Sequence, residues 1–473
     1  MSAVIGPHRQ HPAAMLRHTL RYLLLLTLPF LRALRYTGAP QNLSPWIRGI
    51  WIDLTAVGLL FLFVYLQWKR HTYRLTPDGL YLQQGVVLLR SHRIPYHHVA
   101  TITVERPIYL RILRAARIVI VTDVTLRSEV ALTLSERHAN AMLAACQPNE
   151  RTQRRCYRPH WYHVVVLSLL ASNSLSGVVL LITVLYRSSR LFGGHYGQEL
   201  LNNLEAAADY IRIIPNTIAV LVLILLCGWG IAVVRSLLFH LPFSVTRDEQ
   251  AFTVYSGKIL RRDHLFDVRS VNFIDLQQTL VCKLLRLHFV FVQCVGHGKE
   301  RDALFLLVPA CSRAHSARAT GTLLPEFHRA AVTIRPAPYS LLRYIRYPIV
   351  ILALVHPTAT VLSRLFPIWA EAVGHLLSIV YIPLVWLLIL NVIDRYTGGI
   401  GIENGCITLR YRSKLTLHTV FFPTDRIVSF RFRQSFFQRR RNLCDVCIYT
   451  HSKGTYCHRI KNVRADDINV LFE

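Results

Sequence analysis

Apolar and polar positions alternate along this chain at two scales. At the long scale, pairs of apolar stretches are each followed by a block of short, alternating segments. The apolar pairs lie at residues 17–35 with 46–68, 163–186 with 211–234, and 345–364 with 373–393. The blocks after them begin near Tyr73, Phe243 and Tyr396. A helix needs roughly 20 mostly apolar residues to span a bilayer. Residues 164–186, 213–234 and 373–393 meet that length without an acid, a lysine or an arginine. Residues 22–31 contain Pro29 between basic flanks, 46–68 contain Arg48 and Asp53, and 348–362 contain His356 and Pro357. Their pairing with stronger neighbours predicts that these weaker stretches also span. The pattern therefore predicts about six transmembrane helices in three hairpins. Residues 22–31 are expected to be a retained helix, since no small-residue cleavage site follows them cleanly.

At the short scale, the first block predicts strands. Residues 73–76 and 80–82 flank the turn Pro77-Asp78-Gly79, where Gly79 is expected to supply a positive φ. Val99, Ile102 and Val104 bury one face, and residues 118–122 and 129–134 are further strands. Residues 108–117 predict a loop or short helical turn, and a helix runs from Ser135 and Glu136 to about Cys146. Short strands at this spacing predict a small β-barrel or sandwich, with the C-terminal helix covering an edge. The expected class is an α+β membrane protein. Its parts are an N-terminal tail and hairpin (1–70), a β module (71–160), a hairpin (161–236), a divergent β module (237–335), a hairpin (336–395) and a third β module (396–473).

Charge orients this arrangement. Residues 67–162, 235–346 and 394–473 carry net charges of +9, +8 and +7, most of the chain's +29. Basic segments stay cytoplasmic, so the β modules are expected inside and the connections outside. With 52% hydrophobic residues and a mean hydropathy of +0.32, the excess of charge fits topology and attraction to anionic lipid better than nucleic-acid binding. The ten cysteines, most of them in the basic blocks, are expected as free thiols.

The motif Tyr73-Arg-Leu-Thr-Pro-Asp-Gly-Leu80, then Gly85-Val-Val, then Arg93-Ile-Pro-Tyr-His-His-Val99 and Tyr109-Leu-Arg-Ile-Leu113 resembles the bacterial pleckstrin-homology (PH) domain of the YdbT/YdbS family of membrane proteins. Gly405-Cys-Ile-Thr-Leu-Arg410, Leu417-His-Thr-Val-Phe-Phe-Pro423 and Asp425-Arg-Ile-Val428 repeat it. In the middle block the family proline is replaced within His264-Leu-Phe-Asp-Val268. The resemblance implies three PH-like modules, each preceded by membrane segments, at the bacterial inner membrane. It also implies a role in envelope protection against membrane-active peptides, often with a smaller membrane protein of the same domain type.

Catalytic patterns are weak. Gly296-His-Gly-Lys299 lacks the glycine six positions before its lysine and the following Ser or Thr of a phosphate loop, and is expected to be a hairpin turn. Cys444 and Cys447, near His451, Cys457 and His458, have a metal-like spacing, but residues three apart in a strand point to opposite faces. His97 and His98 are expected at the surface, and His356 and His375 at an interface or helix contact. Asp53 is either a functional intramembrane group or an interfacial one. No catalytic residue, metal or cofactor is assigned.

The candidate contacts for an anionic surface or ligand are Arg111, Arg114 and Arg117 in the first block, Lys283 and Arg286 in the second, and Arg439, Arg440 and Arg441 in the third. Arginine's planar fork suits phosphate and carboxylate. Clustered arginines also arise from positive-inside topology alone. The leading expectation is a non-enzymatic scaffold at the bilayer, with anionic head groups, a related smaller PH-domain protein or a second copy as partners. The alternative is a transporter or exporter of a peptide or lipid through the helices.

Overall fold

The computed structural model describes residues 5–21, 43–85, 88–122, 129–146, 155–171, 199, 202, 203, 206, 216–249, 251–294, 305–452 and 454–472. The chain divides into two compact units, Met1–Arg154 with Arg247–Ser270, and Arg155–Thr246 with Val271–Glu473. The middle β block is thus shared: its first hairpin belongs to one unit and its remainder to the other.

In the first unit, the strands Ile5–Arg9, Thr72–Thr76, Gly79–Gln84 and Arg90–Pro95 form an antiparallel sheet in that order. The N-terminal strand was not expected; its Ile-Gly-Pro-His-Arg sequence carries no alternation to reveal it. A second sheet runs Glu129–Ser135, Ala115–Thr122, Val99–Pro107, Leu260–Asp267 and Ala251–Ser256. Tyr73, Leu75, Leu80, Leu82 and Ile94 from one sheet meet Ile102, Val104, Ile118, Ile120, Leu132 and Leu134 from the other in a common core. The alternating residues of each strand supply those inward side chains. The helix Glu136–Cys146 adds Ala139 and Met142 to the core.

Gly79 differs from its expected role. Its φ is not positive; a Cβ there would stand 2.4 Å from the Ile94 carbonyl oxygen. The position requires glycine because the neighbouring strand passes too closely for any side chain. Positive φ appears instead at Asn404 and Gly405, the two central residues of a tight hairpin between Gly399–Glu403 and Cys406–Ser413.

The second unit has one sheet ordered Phe305–Ser312, Leu287–Cys294, Val271–Thr279, Thr416–Pro423, Cys406–Ser413, Gly399–Glu403. A second sheet is formed by Ile427–Arg433, Leu443–Ser452 and Gly454–Arg464. Phe273, Ile407, Leu409, Val420 and Phe422 pack against Val446, Ile448, Ile460 and Val463 between them.

One pairing occurs twice at the same register. Val99–Pro107 pairs with Leu260–Asp267, Pro107 facing Leu260 and Thr101 facing Phe266. Val271–Thr279 pairs with Thr416–Pro423, Thr279 facing Thr416 and Ile274 facing Phe421. Each joins a strand of one repeat to a strand of the next. The third equivalent strand, Ile427–Arg433, is the outer strand of its sheet and is exposed along most of its length.

The expected six transmembrane helices in three hairpins do not hold. The protein is built mainly from four β-sheets, and among the described residues two helices are long and apolar enough to cross a membrane, Val222–His240 and Pro338–Leu365. The stretch 46–68 does form a helix, Leu43–Arg70. The stretch 163–186 begins as the short apolar helix Trp161–Ala171 and then leaves the described residues, as do 22–35 and 211–215. The stretch 373–393 lies in the helix Ala370–Thr397, which packs beside Leu341–Leu365. His356 Nδ1 lies 2.9 Å from Tyr381 Oη across that pair, the helix contact expected for it. The side chains of Asp53 and His375, and the segment 296–299, are outside the described set. The strands on either side of that segment pair antiparallel, as a hairpin requires.

Candidate functional site

Three short helical turns recur at equivalent places: Ile108–Ile112, Leu280–Leu284 and Phe436–Arg439. Each is entered through an extended N-cap residue, Pro107, Thr279 or Ser435, 12 residues after Pro95, Asp267 and Pro423 respectively. Pro95, Asp267 and Pro423 in turn precede the one-turn segments Tyr96–His98, Val268–Ser270 and Thr424–Arg426. Asp267 therefore takes the place of the proline that the middle block lacks. Its Oδ1 accepts from the Arg269 N–H at 2.9 Å, so a side-chain turn substitutes for a rigid ring. After each short turn the backbone reverses through a positive φ, at Arg114, Arg286 and Asn442. The Arg114 and Asn442 carbonyls then accept the N–H of Glu136 and Ala465, where the closing helices begin.

Each turn carries exposed apolar side chains among its cations. In the first these are Ile108, Tyr109, Ile112 and Leu113; in the second Val281, Leu284 and Leu285; in the third Phe436 and Phe437, each 66% exposed. Arg111 and Arg114 are exposed beside the first group. Arg117 stands apart from them, on the strand Ala115–Thr122, where Nη1 lies 3.1 Å from Glu105 Oε2. Arg439, Arg440 and Arg441 are all exposed, and the Arg440 guanidinium sits 4.7 Å from the Phe436 ring centroid. Gln438, buried below them, anchors the turn: its amide donates to Asp445 Oδ1 at 2.7 Å and it closes a capping box with Ser435.

The third turn is tied to an apolar helix. Tyr339 Oη donates to the Arg441 carbonyl at 3.1 Å, and Arg343 Nη2 donates to the Phe437 carbonyl. Tyr339 and Arg343 lie at the start of Pro338–Leu365, one of the two candidate spans. Beside this junction is a cavity of about 530 Å³ whose cations include Arg343, Arg346, Arg412 and Lys461. Burial, followed by repulsion from Arg412 and Arg459, pushes the Lys461 ammonium below its usual range. The second turn is placed differently. Lys283 and Arg286 line a separate cavity of about 470 Å³ with Arg313, Arg329 and Arg410. Behind it, Cys282, Phe289 and Ala310 pack against Leu167 of the apolar helix Trp161–Ala171.

Other sequence candidates fall elsewhere. Cys444 joins the core with Val446 and Ile448, whereas Cys447 sits on the opposite face beside Cys457. His458 is fully buried between Tyr411 Oη at 2.9 Å and Thr450 Oγ1 at 3.1 Å. His97 and His98 lie in the segment Tyr96–His98 with ring centroids 4.2 Å apart. Among the described residues no three His, Cys, Asp or Glu side chains converge as a metal site. Arg313, Arg329 and Arg410 were not anticipated, because they are scattered through three segments and no local spacing marks them.

Paired sheets closed by a terminal helix, with apolar and basic turns at one edge, define a PH-type module. The bacterial PH domain model matches residues 23–149 and 347–471, more than half of the chain, and the chain belongs to that family. It is 20% identical over 417 residues to the transmembrane protein YdbT of Bacillus subtilis (strain 168), with 82% of each chain covered. No solved structure matches it.

Proposed function

We propose that this protein is a non-catalytic scaffold held in the bacterial inner membrane, whose PH-type modules face the cytoplasm and rest on the anionic bilayer surface through their short turns. The observation that carries this reading is the fastening of the Phe436–Arg439 turn to the start of Pro338–Leu365 by Tyr339 and Arg343. A turn tied to the end of a membrane-crossing helix lies at head-group depth. There two exposed phenylalanines enter the acyl boundary while Arg439, Arg440 and Arg441 stay among the phosphates. The cavity beside Arg343 and Arg346 suits a single anionic head group. Net charges of +9, +8 and +7 on the β blocks favour the cytoplasmic side.

Two phenylalanines, each about two-thirds exposed, offer roughly 2 to 4 kcal/mol on insertion, and each arginine near the surface adds about 1 kcal/mol. The full chain in nanodiscs tests this. Hydrogen exchange of residues 435–442 is expected to slow when neutral lipid is replaced by a mixture rich in anionic lipid. In the Phe436→Ser/Phe437→Ser variant that slowing is expected to disappear. Exchange that ignores lipid charge in the unaltered protein would sink the reading.

A further inference from the structure

The cavity of about 470 Å³ beside the second turn has a composition that a structural role does not explain. Five cationic side chains line it: Lys283, Arg286, Arg313, Arg329 and Arg410, with no carboxylate among the lining residues. They come from separate places in the fold. Lys283 and Arg286 belong to the turn and its reversal, Arg313 opens the helix Arg313–Leu323, Arg329 lies in the segment after that helix, and Arg410 projects from the strand Cys406–Ser413. Positive-inside topology yields cations spread over an open surface. It does not bring cations from several elements into one recess.

Nor are these charges neutralised from within. Among the described residues none of the five forms an ion pair, and the Arg410 Nε is buried without a hydrogen-bond partner. The carboxylate of Asp275 touches the lining at His418, where its Oδ2 is engaged by His418 Nδ1 at 2.8 Å and Gln277 Nε2 at 2.8 Å. Burial and the surrounding cations push Arg329 down to about 10 and hold Lys283 and Arg410 below their ordinary values. His288, on the same wall, is driven to about 4 by burial and by repulsion from Arg329, and its Nδ1 also lacks a partner. Lys283, Arg286 and Arg313 are exposed, whereas Arg329 and Arg410 are half-buried; half-buried like charges are costly unless something of opposite sign joins them.

We propose that this cavity is a binding site for a compact anion carrying several phosphate charges, presented either as a soluble oligophosphate or as a phosphorylated lipid head group. Guanidinium forks from Arg313, Arg329 and Arg410 give paired hydrogen bonds to phosphate oxygens, and Lys283 adds a point charge. A single carboxylate would leave most of the recess uncompensated. The proposal shares the second turn with the membrane-docking reading, but that reading is carried by the third turn, so either can fail without the other.

The test uses the full chain in detergent micelles, with inorganic pyrophosphate titrated calorimetrically. Saturable binding near one pyrophosphate per chain is expected, weakened about 10-fold or more in both Arg410→Gln and Arg329→Gln, the loss expected for one charged partner. The triple variant Arg439→Gln/Arg440→Gln/Arg441→Gln is expected to bind within about 2-fold of the parent. Without ligand, Arg410→Gln and Arg329→Gln are expected to melt no lower than the parent, since each removes a repelling charge. In nanodiscs, phosphatidic acid in phosphatidylcholine separates the two sources: displacement of pyrophosphate identifies the lipid head group, and undisturbed binding identifies the soluble anion. Absence of saturable binding, or affinity unchanged in both single variants, overturns the proposal.

Discussion

Removing the Asp263 carboxylate isolates what joins one repeat to the next in the first unit. Arg106 Nη1 lies 2.6 Å from Asp263 Oδ2, with side-chain exposures of 9% and 15%, and Arg106 Nη2 donates to Asn140 Oδ1 at 3.0 Å. The pair bridges Val99–Pro107 and Leu260–Asp267, strands more than 150 residues apart. Asp263→Ala leaves a buried guanidinium with one neutral acceptor. Breaking a buried pair in this way costs about 3 to 5 kcal/mol; residual exposure and Asn140 place the expected loss near 3. The pair is not perfectly served, since Arg106 Nε and Asp263 Oδ1 lack hydrogen-bond partners. Replacing both members by leucine is therefore expected to cost less than about 1 kcal/mol. Hydrogen exchange of Leu260–Asp267 in the full chain reads the local opening free energy, and the four variants form a double-mutant cycle. If Asp263→Ala changes that free energy by less than about 1 kcal/mol, the pair behaves as an exposed one and the buried-joint argument is wrong.

Acid should weaken the third β module through His458. Its pKa is pushed down to about 3 by complete burial and by His418, from an ordinary 6.5. The unfolded chain therefore binds the proton first, so stability is complete above pH 6.5 and is lost as pH falls towards 3, by about 2 kcal/mol at pH 5. Thermal melts at pH 7.5 and 5 are expected to differ more for the parent than for His458→Gln; equal differences would assign the acid sensitivity to other groups. Gly79→Ala is expected to destabilise the first unit by about 1 to 3 kcal/mol, because its Cβ would meet the Ile94 carbonyl oxygen at 2.4 Å. An unchanged melt would mean that the strand Arg90–Pro95 yields freely.

Local structure was legible wherever local chemistry decides it. The alternation through 118–122 marks the strand Ala115–Thr122, and Ser135 with Glu136 marks the start of the closing helix. The interval of 12 between Pro95 and Pro107, repeated from Pro423 to Ser435, reflects one extended strand between two turn-forming residues. What escaped the sequence is long-range. Nothing in Leu260–Asp267 announces that its partner is Val99–Pro107, because a half-polar strand specifies a period but not a neighbour. Arg117 looked like part of a basic cluster until the hairpin placed it against Glu105. Arg313, Arg329 and Arg410 converge only once the six-stranded sheet of the second unit is assembled. The six spans were read from apolar length alone, and length alone does not separate a membrane helix from any other apolar helix.

Contact between the third turn and lipid can be measured directly. A photo-crosslinking residue is placed at position 437, in the turn, or at position 425, beyond the far end of the strand Ile427–Arg433 and about 20 Å or more away. The full chain is then reconstituted in vesicles containing anionic lipid. Lipid adducts are expected at position 437 and not at 425, with a yield that falls when the anionic lipid is replaced by neutral lipid. Equal adduct yields at the two positions, or none at 437, would contradict the account.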